Sequence, residues 1–88
     1  MIILDSNNFA EALNQCYMRF NYRIGIAFSD SGRLRSFARA LGICIPHAVT
    51  FNNDTDSLVF DSGSYIKLFV AQRDVAHLEE CFDSIYVD

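Results

Sequence analysis

The chain has 88 residues and a net charge of −4, with 51% hydrophobic and 20% charged residues. Such a chain folds as one small globular domain, which excludes a disordered tail, a collagen repeat and a coiled coil. Seven Lys and Arg against eleven Asp and Glu also disfavour a general nucleic-acid binder, because cations make most phosphate contacts.

In chain order, Ile2–Leu4 reads as a short strand. Asn8, with Glu11 three residues on, has the form of a helix cap. Phe9, Leu13, Cys16, Tyr17 and Phe20 then recur at helical spacing, so a helix is expected from Phe9 to Phe20. Arg23–Phe28 is almost wholly apolar, which suits an interior strand covered on both faces. Gly25 within it suggests close approach of a neighbour. Ser29-Asp30-Ser31-Gly32 turns the chain into a second helix, with Leu34, Phe37, Ala38 and Leu41 on one face. Gly42 and Pro46 mark its expected end. The period then changes to that of strands at 48–52, 57–61 and 65–71, joined by Asn53-Asp54-Thr55-Asp56 and Ser62-Gly63 as an antiparallel meander. Asp74 can cap a short helix carrying Val75, Leu78 and Phe82, and Ser84–Val87 is a last strand. The expected fold is a three-layer α/β domain of order β-α-β-α-β-β-β-α-β, with the strands at 24–28 and 85–87 adjacent in a central sheet.

Cys16, Cys44 and Cys81 are odd in number and lack a C-x-x-C pair, so neither a zinc site nor a closed disulfide framework is expected. They read as small apolar residues in a reducing compartment. No basic segment precedes the short apolar start, and no run approaches the ~20 apolar residues that span a bilayer. The expected location is the cytoplasm. His47 and His77 lack metal-ligand spacing, and Ser29, Ser31 and Ser36 have no His–Asp arrangement around them. No catalytic group, cofactor or metal is expected.

One constellation carries chemistry. Ala27-Phe28-Ser29-Asp30-Ser31-Gly32-Arg33-Leu34 lies between a predicted strand and a predicted helix, the context of a phosphate-binding G-x-x-x-x-G-K-[ST] loop. At such a place backbone N–H groups and the helix dipole face an anion, and a neighbouring cation neutralises it. Gly32 holds the second glycine position. Ala27 replaces the first glycine, Arg33 the lysine, and Leu34 the metal-binding hydroxyl. Ser31, Gly32 and Arg33 are the candidate anion-binding residues, while Asp30 can cap the helix itself.

The order of these parts resembles the ATPase core of phage large terminases and related phage P-loop ATPases. Ser31-Gly32-Arg33 stands for the phosphate loop, Phe60-Asp61-Ser62-Gly63-Ser64-Tyr65-Ile66 for the following strand and turn, and Ile85-Tyr86-Val87-Asp88 for the strand that ends beside magnesium. The resemblance covers roughly residues 20–88. It implies a P-loop-like sheet in a reduced relative, without ATP turnover because the catalytic Glu after Asp88 is missing.

Charge is unevenly spread. Residues 1–50 hold five arginines and three carboxylates, and residues 51–88 hold two cations and eight carboxylates. Asp54, Asp56, Asp61, Glu79, Glu80 and Asp83 are candidate partner-binding residues, since an acidic surface steers a basic one. Together with the phage resemblance this implies a non-catalytic module that binds and inhibits or modulates a host or phage protein, such as a host defence or nucleic-acid enzyme. Direct nucleic-acid or membrane binding is not expected. The alternatives are a degenerate phosphate- or nucleotide-binding protein using Gly32 and Arg33, and a homo-oligomeric component pairing through Tyr65–Ala71 as an edge strand.

Overall fold

A computed structural model describes residues 2–44 (backbone alone over 42–44), 49–52, 54–71 and 81–88. The described elements are β1 (Ile2–Ile3), α1 (Ser6–Met18), β2 (Arg23–Phe28), α2 (Ser31–Cys44), β3 (Val49–Asn52), β4 (Ser57–Phe60), β5 (Tyr65–Val70) and β6 (Ser84–Val87). They form a mixed α/β fold around one six-stranded sheet of order β1-β6-β2-β5-β4-β3. β1, β6, β2 and β5 run parallel, and β5, β4 and β3 form the antiparallel meander.

Both helices lie on one face, and the topology explains why. From β1 to β2, and from β2 to β3, the chain steps in the same direction across the sheet between strands of like polarity. Right-handed crossovers then put both connecting helices on the same side. Ala12 and Cys16 of α1 and Leu34 of α2 join Ile24, Ile26, Phe28, Leu58, Phe60, Ile66, Leu68 and Tyr86 in the main core. Phe37 meets both Phe9 and Phe28, with ring centroids 5.2 Å apart in each pair.

The opposite face carries a smaller cluster of Ala27 and Ile85 with Phe69, Ala71, Phe82 and Val87. Phe69 and Phe82 stack with centroids 5.7 Å apart. A β-carbon on Gly25 would come within 2.9 Å of both rings, so the absence of a side chain there lets the aromatic pair lie on the sheet. The helix expected after Asp74 lies outside the described residues apart from Cys81 and Phe82, which are not helical.

Several expectations change in detail. The cap of α1 is Asp5, whose Oδ1 accepts from the Asn8 N–H at 2.8 Å; Asn8 instead donates its side-chain amide to Ile3 O at 2.6 Å. The helix therefore starts three residues before Phe9 and ends at Met18, leaving Phe20 outside it. α2 continues past Gly42 to Cys44. Tyr65–Val70 is not an edge: β5 lies between β2 and β4, because the parallel β2 closes one side and the meander the other. Among the described residues the outer strands are β1 and β3. Cys16 is buried as expected, whereas Cys81 is exposed.

Candidate functional site

The carboxyl ends of β2 and β6 meet the start of α2 at an open groove of about 630 Å³, lined by Phe28, Asp30, Gly32, Arg33, Ser36, Phe37 and Asp88. Only Ser29 and Asp30 separate β2 from α2. Asp30 Oδ1 accepts the Arg33 backbone N–H at 2.9 Å, and Asp30 O accepts that of Leu34 at 3.3 Å. The Arg33 guanidinium forks onto Asp88, Nε to Oδ2 and Nη2 to Oδ1, the latter at 3.0 Å. Asp88 is held in place by its own N–H, which donates to Ala27 O at 2.9 Å.

These contacts set the electrostatics of the groove. Hydrogen bonding and charge from Asp88 raise the Arg33 pKa further, and the guanidinium in turn holds the Asp88 carboxyl below the usual carboxylate range. Of the candidate anion-binding set, Ser31, Gly32 and Arg33 all fall in the first turn of α2. Arg33 already meets a carboxylate through its side chain and another through its backbone. An anion entering here has to replace Asp88 on Arg33 and approach Asp30. One carboxylate covers the guanidinium and a second caps the helix start, so the groove repels an anion more than the sequence pattern alone suggests.

The candidate partner-binding carboxylates are divided between the two ends of the sheet. Asp54 and Asp56 sit in the β3–β4 turn, where Asp56 O accepts the Leu68 N–H at 2.8 Å and Lys67 Nζ donates to Thr55 O at 2.9 Å. Asp61 lies in the β4–β5 turn at the other end. Asp83 is also at that end, where its Oδ2 accepts the Arg23 backbone N–H at 2.9 Å and faces the Arg23 guanidinium at 3.4 Å. The backbone bond and the cation both lower the Asp83 pKa. Glu79 and Glu80 lie outside the described residues.

Two surfaces were missed in the sequence. The first is β3, an outer strand whose four residues, Val49-Thr50-Phe51-Asn52, carry no charge and no proline. Val49 and Phe51 are half-buried against the core, and Thr50 and Asn52 are exposed. The second is the tip where α1 enters β2. Met18 is 82% exposed and Phe20 84% exposed, and Tyr17 beside them packs edge-on against Phe60 at 5.0 Å. Helical spacing placed Tyr17 and Phe20 on the buried face; the early end of α1 frees Phe20 instead.

The tip is held firmly by the β4–β5 turn. Ser64 Oγ donates to Arg19 O at 2.7 Å and accepts the Tyr22 N–H at 2.9 Å. Ser62 Oγ donates to Cys16 O at 2.7 Å, and the Asn21 N–H donates to Ser62 O at 3.3 Å. Asn21 has φ of +54° and Gly63 of +85°, the left-handed region that Asn and Gly adopt most readily. At Gly63 a β-carbon would also collide with Asn21 Oδ1. The Arg19 guanidinium lies 4.9 Å from the centroid of the Tyr22 ring.

No group of three or more potential metal ligands occurs among the described residues, and no described helix is long and apolar enough to cross a membrane. No known family model, curated protein or solved structure matches the chain.

Proposed function

We propose that the protein is a non-catalytic interaction module that takes an extended basic segment of another protein onto the outer edge of β3. The uncharged strand Val49–Asn52, at the end of the sheet among the described residues, carries this reading. An outer strand offers main-chain N–H and C=O groups to an added strand, and natural proteins commonly guard such edges with charge, proline or a bulge. The turn that follows β3 carries the exposed Asp54 just past the end of that strand, where its charge speeds the approach of a basic segment. The order of terminase-like motifs supports a phage setting, with a host defence or nucleic-acid enzyme as the partner to be inhibited or modulated.

Extended peptides with alternating Lys and apolar residues test this by fluorescence anisotropy. They should bind the native protein, bind less well in high salt, and be lost with Thr50→Lys, which puts a like charge on the exposed edge. Peptides with Glu in place of Lys should not bind. Equal binding of the acidic series, or undiminished binding to the Thr50→Lys variant, refutes the assignment.

A second reading is a phosphate or nucleotide ligand at Ser31, Gly32 and Arg33, which draws on the groove at the start of α2. A ligand at 100 times its dissociation constant stabilises the fold by about 2.7 kcal/mol. An unchanged melting temperature with millimolar ATP or GTP, with and without Mg²⁺, removes this reading.

A further inference from the structure

The main chain of a strand bonds alternately to one side and the other, and in the meander this settles which groups β3 turns outward. In β4 the Phe60 N–H donates to Ser64 O at 2.9 Å, Phe60 O accepts the Gly63 N–H at 3.0 Å, and just before the strand Asp56 O accepts the Leu68 N–H at 2.8 Å. Asp56, Leu58 and Phe60 therefore bond toward β5, which leaves Ser57 and Val59 to bond toward β3. Ser57 lies opposite Asn52, and Val59 lies opposite Thr50. Thr50 and Asn52 are thus the residues of β3 that bond β4. The N–H and C=O groups of Val49 and Phe51 point to the other side, and none of them bonds a described residue. Side chains alternate too. Val49 and Phe51 stand on the helix-covered face, half-buried against the core, and Thr50 and Asn52 are exposed on the opposite face.

We infer, on the strength of the β3 reading above, that the guest segment runs antiparallel to β3 and fits in one phase only, with apolar residues opposite Val49 and Phe51 and a basic residue opposite Thr50. Directly opposed residues in an antiparallel pair can exchange both of their main-chain hydrogen bonds. Two guest residues, separated by one other, then satisfy all the outward groups of Val49 and Phe51. A parallel guest needs a longer stretch for the same groups and pairs slightly less stably. The two bonding residues of the antiparallel guest point their side chains to the face of Val49 and Phe51. Apolar groups there cover the exposed halves of these side chains and continue the core outward. The residue between them, and those on either side, point to the face of Thr50 and Asn52, where a cationic head stays in water. Main-chain bonds hold such a guest, and the alternating side chains select it.

A short peptide of the basic series, Lys-Val-Lys-Val-Lys, tests the phase, because it has no second register in which both valines bond. Methylating a main-chain nitrogen removes a donor and sets a methyl group against β3. Methylation at either valine should weaken binding by about tenfold or more, whereas methylation at the central lysine should change it by less than about twofold. In the protein, Val49→Pro removes an outward N–H and none that β4 uses, at the first residue of an outer strand where proline is accepted. It should weaken binding of the unmodified peptide several-fold with an unchanged circular dichroism spectrum; should this variant unfold, the methylated peptides decide. A peptide that does not bind the native protein at all overturns the β3 reading and this inference with it. Binding that survives methylation at the valines, is lost on methylation at the central lysine, or is undiminished in a folded Val49→Pro variant leaves the β3 reading standing and overturns the antiparallel phase.

Discussion

Ser64→Ala removes one oxygen and disturbs two backbone groups. Ser64 is fully buried, and its hydroxyl both donates to Arg19 O and accepts the Tyr22 N–H. Alanine keeps the volume near that of serine, so no significant cavity opens and the loss is one of hydrogen bonding. A buried donor or acceptor left without a partner costs ~1–3 kcal/mol. With two groups affected next to a turn that water can reach, the total is about 2–4 kcal/mol, a large share of the ~5–15 kcal/mol typical of a whole domain. At ~4–8 °C per kcal/mol for a domain of this size, the melting temperature should fall by roughly 10–25 °C. Thermal and urea denaturation followed by circular dichroism give both values. Ser62→Ala, which chiefly frees Cys16 O, should cost about half as much. Hydrogen exchange at the Tyr22 amide should accelerate in Ser64→Ala more than at β2 amides further along. A loss below ~0.5 kcal/mol, the range of ordinary surface changes, would refute the clamp.

Gly25→Ala should destabilise by ~1–3 kcal/mol through overpacking, because the new methyl group meets Phe69 and Phe82 at 2.9 Å; a urea midpoint equal to that of the native protein would contradict this contact. Asp83 has a folded-state pKa lowered by the Arg23 backbone and side chain, so its contribution to stability is present above the unfolded-state value near ~3.9. That contribution is lost as pH falls through the folded value. The difference in melting temperature between native protein and Asp83→Asn should therefore shrink on acidification from pH ~6 to ~2, and a constant difference would count against it. Burial pushes the Cys16 thiol up to about 12, while Cys81 is exposed. A thiol reagent at pH ~8 should label Cys81 quickly and Cys16 only at the rate of unfolding, which mass spectrometry of peptides resolves.

Local chemistry made much of this fold legible. β2 and β6 fall on the residues expected of them, and they are neighbours in the sheet. The expected close approach at Gly25 is made by two aromatic rings. Errors arose where two local solutions compete. Asp5 and Asn8 both suit a helix cap, and capping by Asp5 moved the start of α1 toward the amino terminus; at its other end Ser62 and Ser64 bond Cys16 O and Arg19 O, and Phe20 lies beyond the helix. The place of β5 depended on long-range pairing, since only the parallel partner β2 turns it from an edge into an interior strand. The division of the acidic residues could have been read in advance. Successive turns of an antiparallel meander lie at opposite ends, so Asp54 and Asp56 could not share a surface with Asp61. The contact between Arg33 and Asp88 spans 55 residues, but it follows once β2 and β6 are aligned side by side, because both residues lie at the carboxyl ends of those strands.

The position of β6 has a consequence for how the chain reaches its folded state. This strand is the last in chain order, yet it sits between β1 and β2 and is the neighbour through which β1 joins the sheet. During synthesis, α1 and the meander can assemble on β2 while one side of β2 still lacks a neighbour. Such a raw strand invites pairing with other nascent chains. Closure waits until residues 84–87 leave the ribosome and slide into the gap, so the middle of the sheet is completed after its flank.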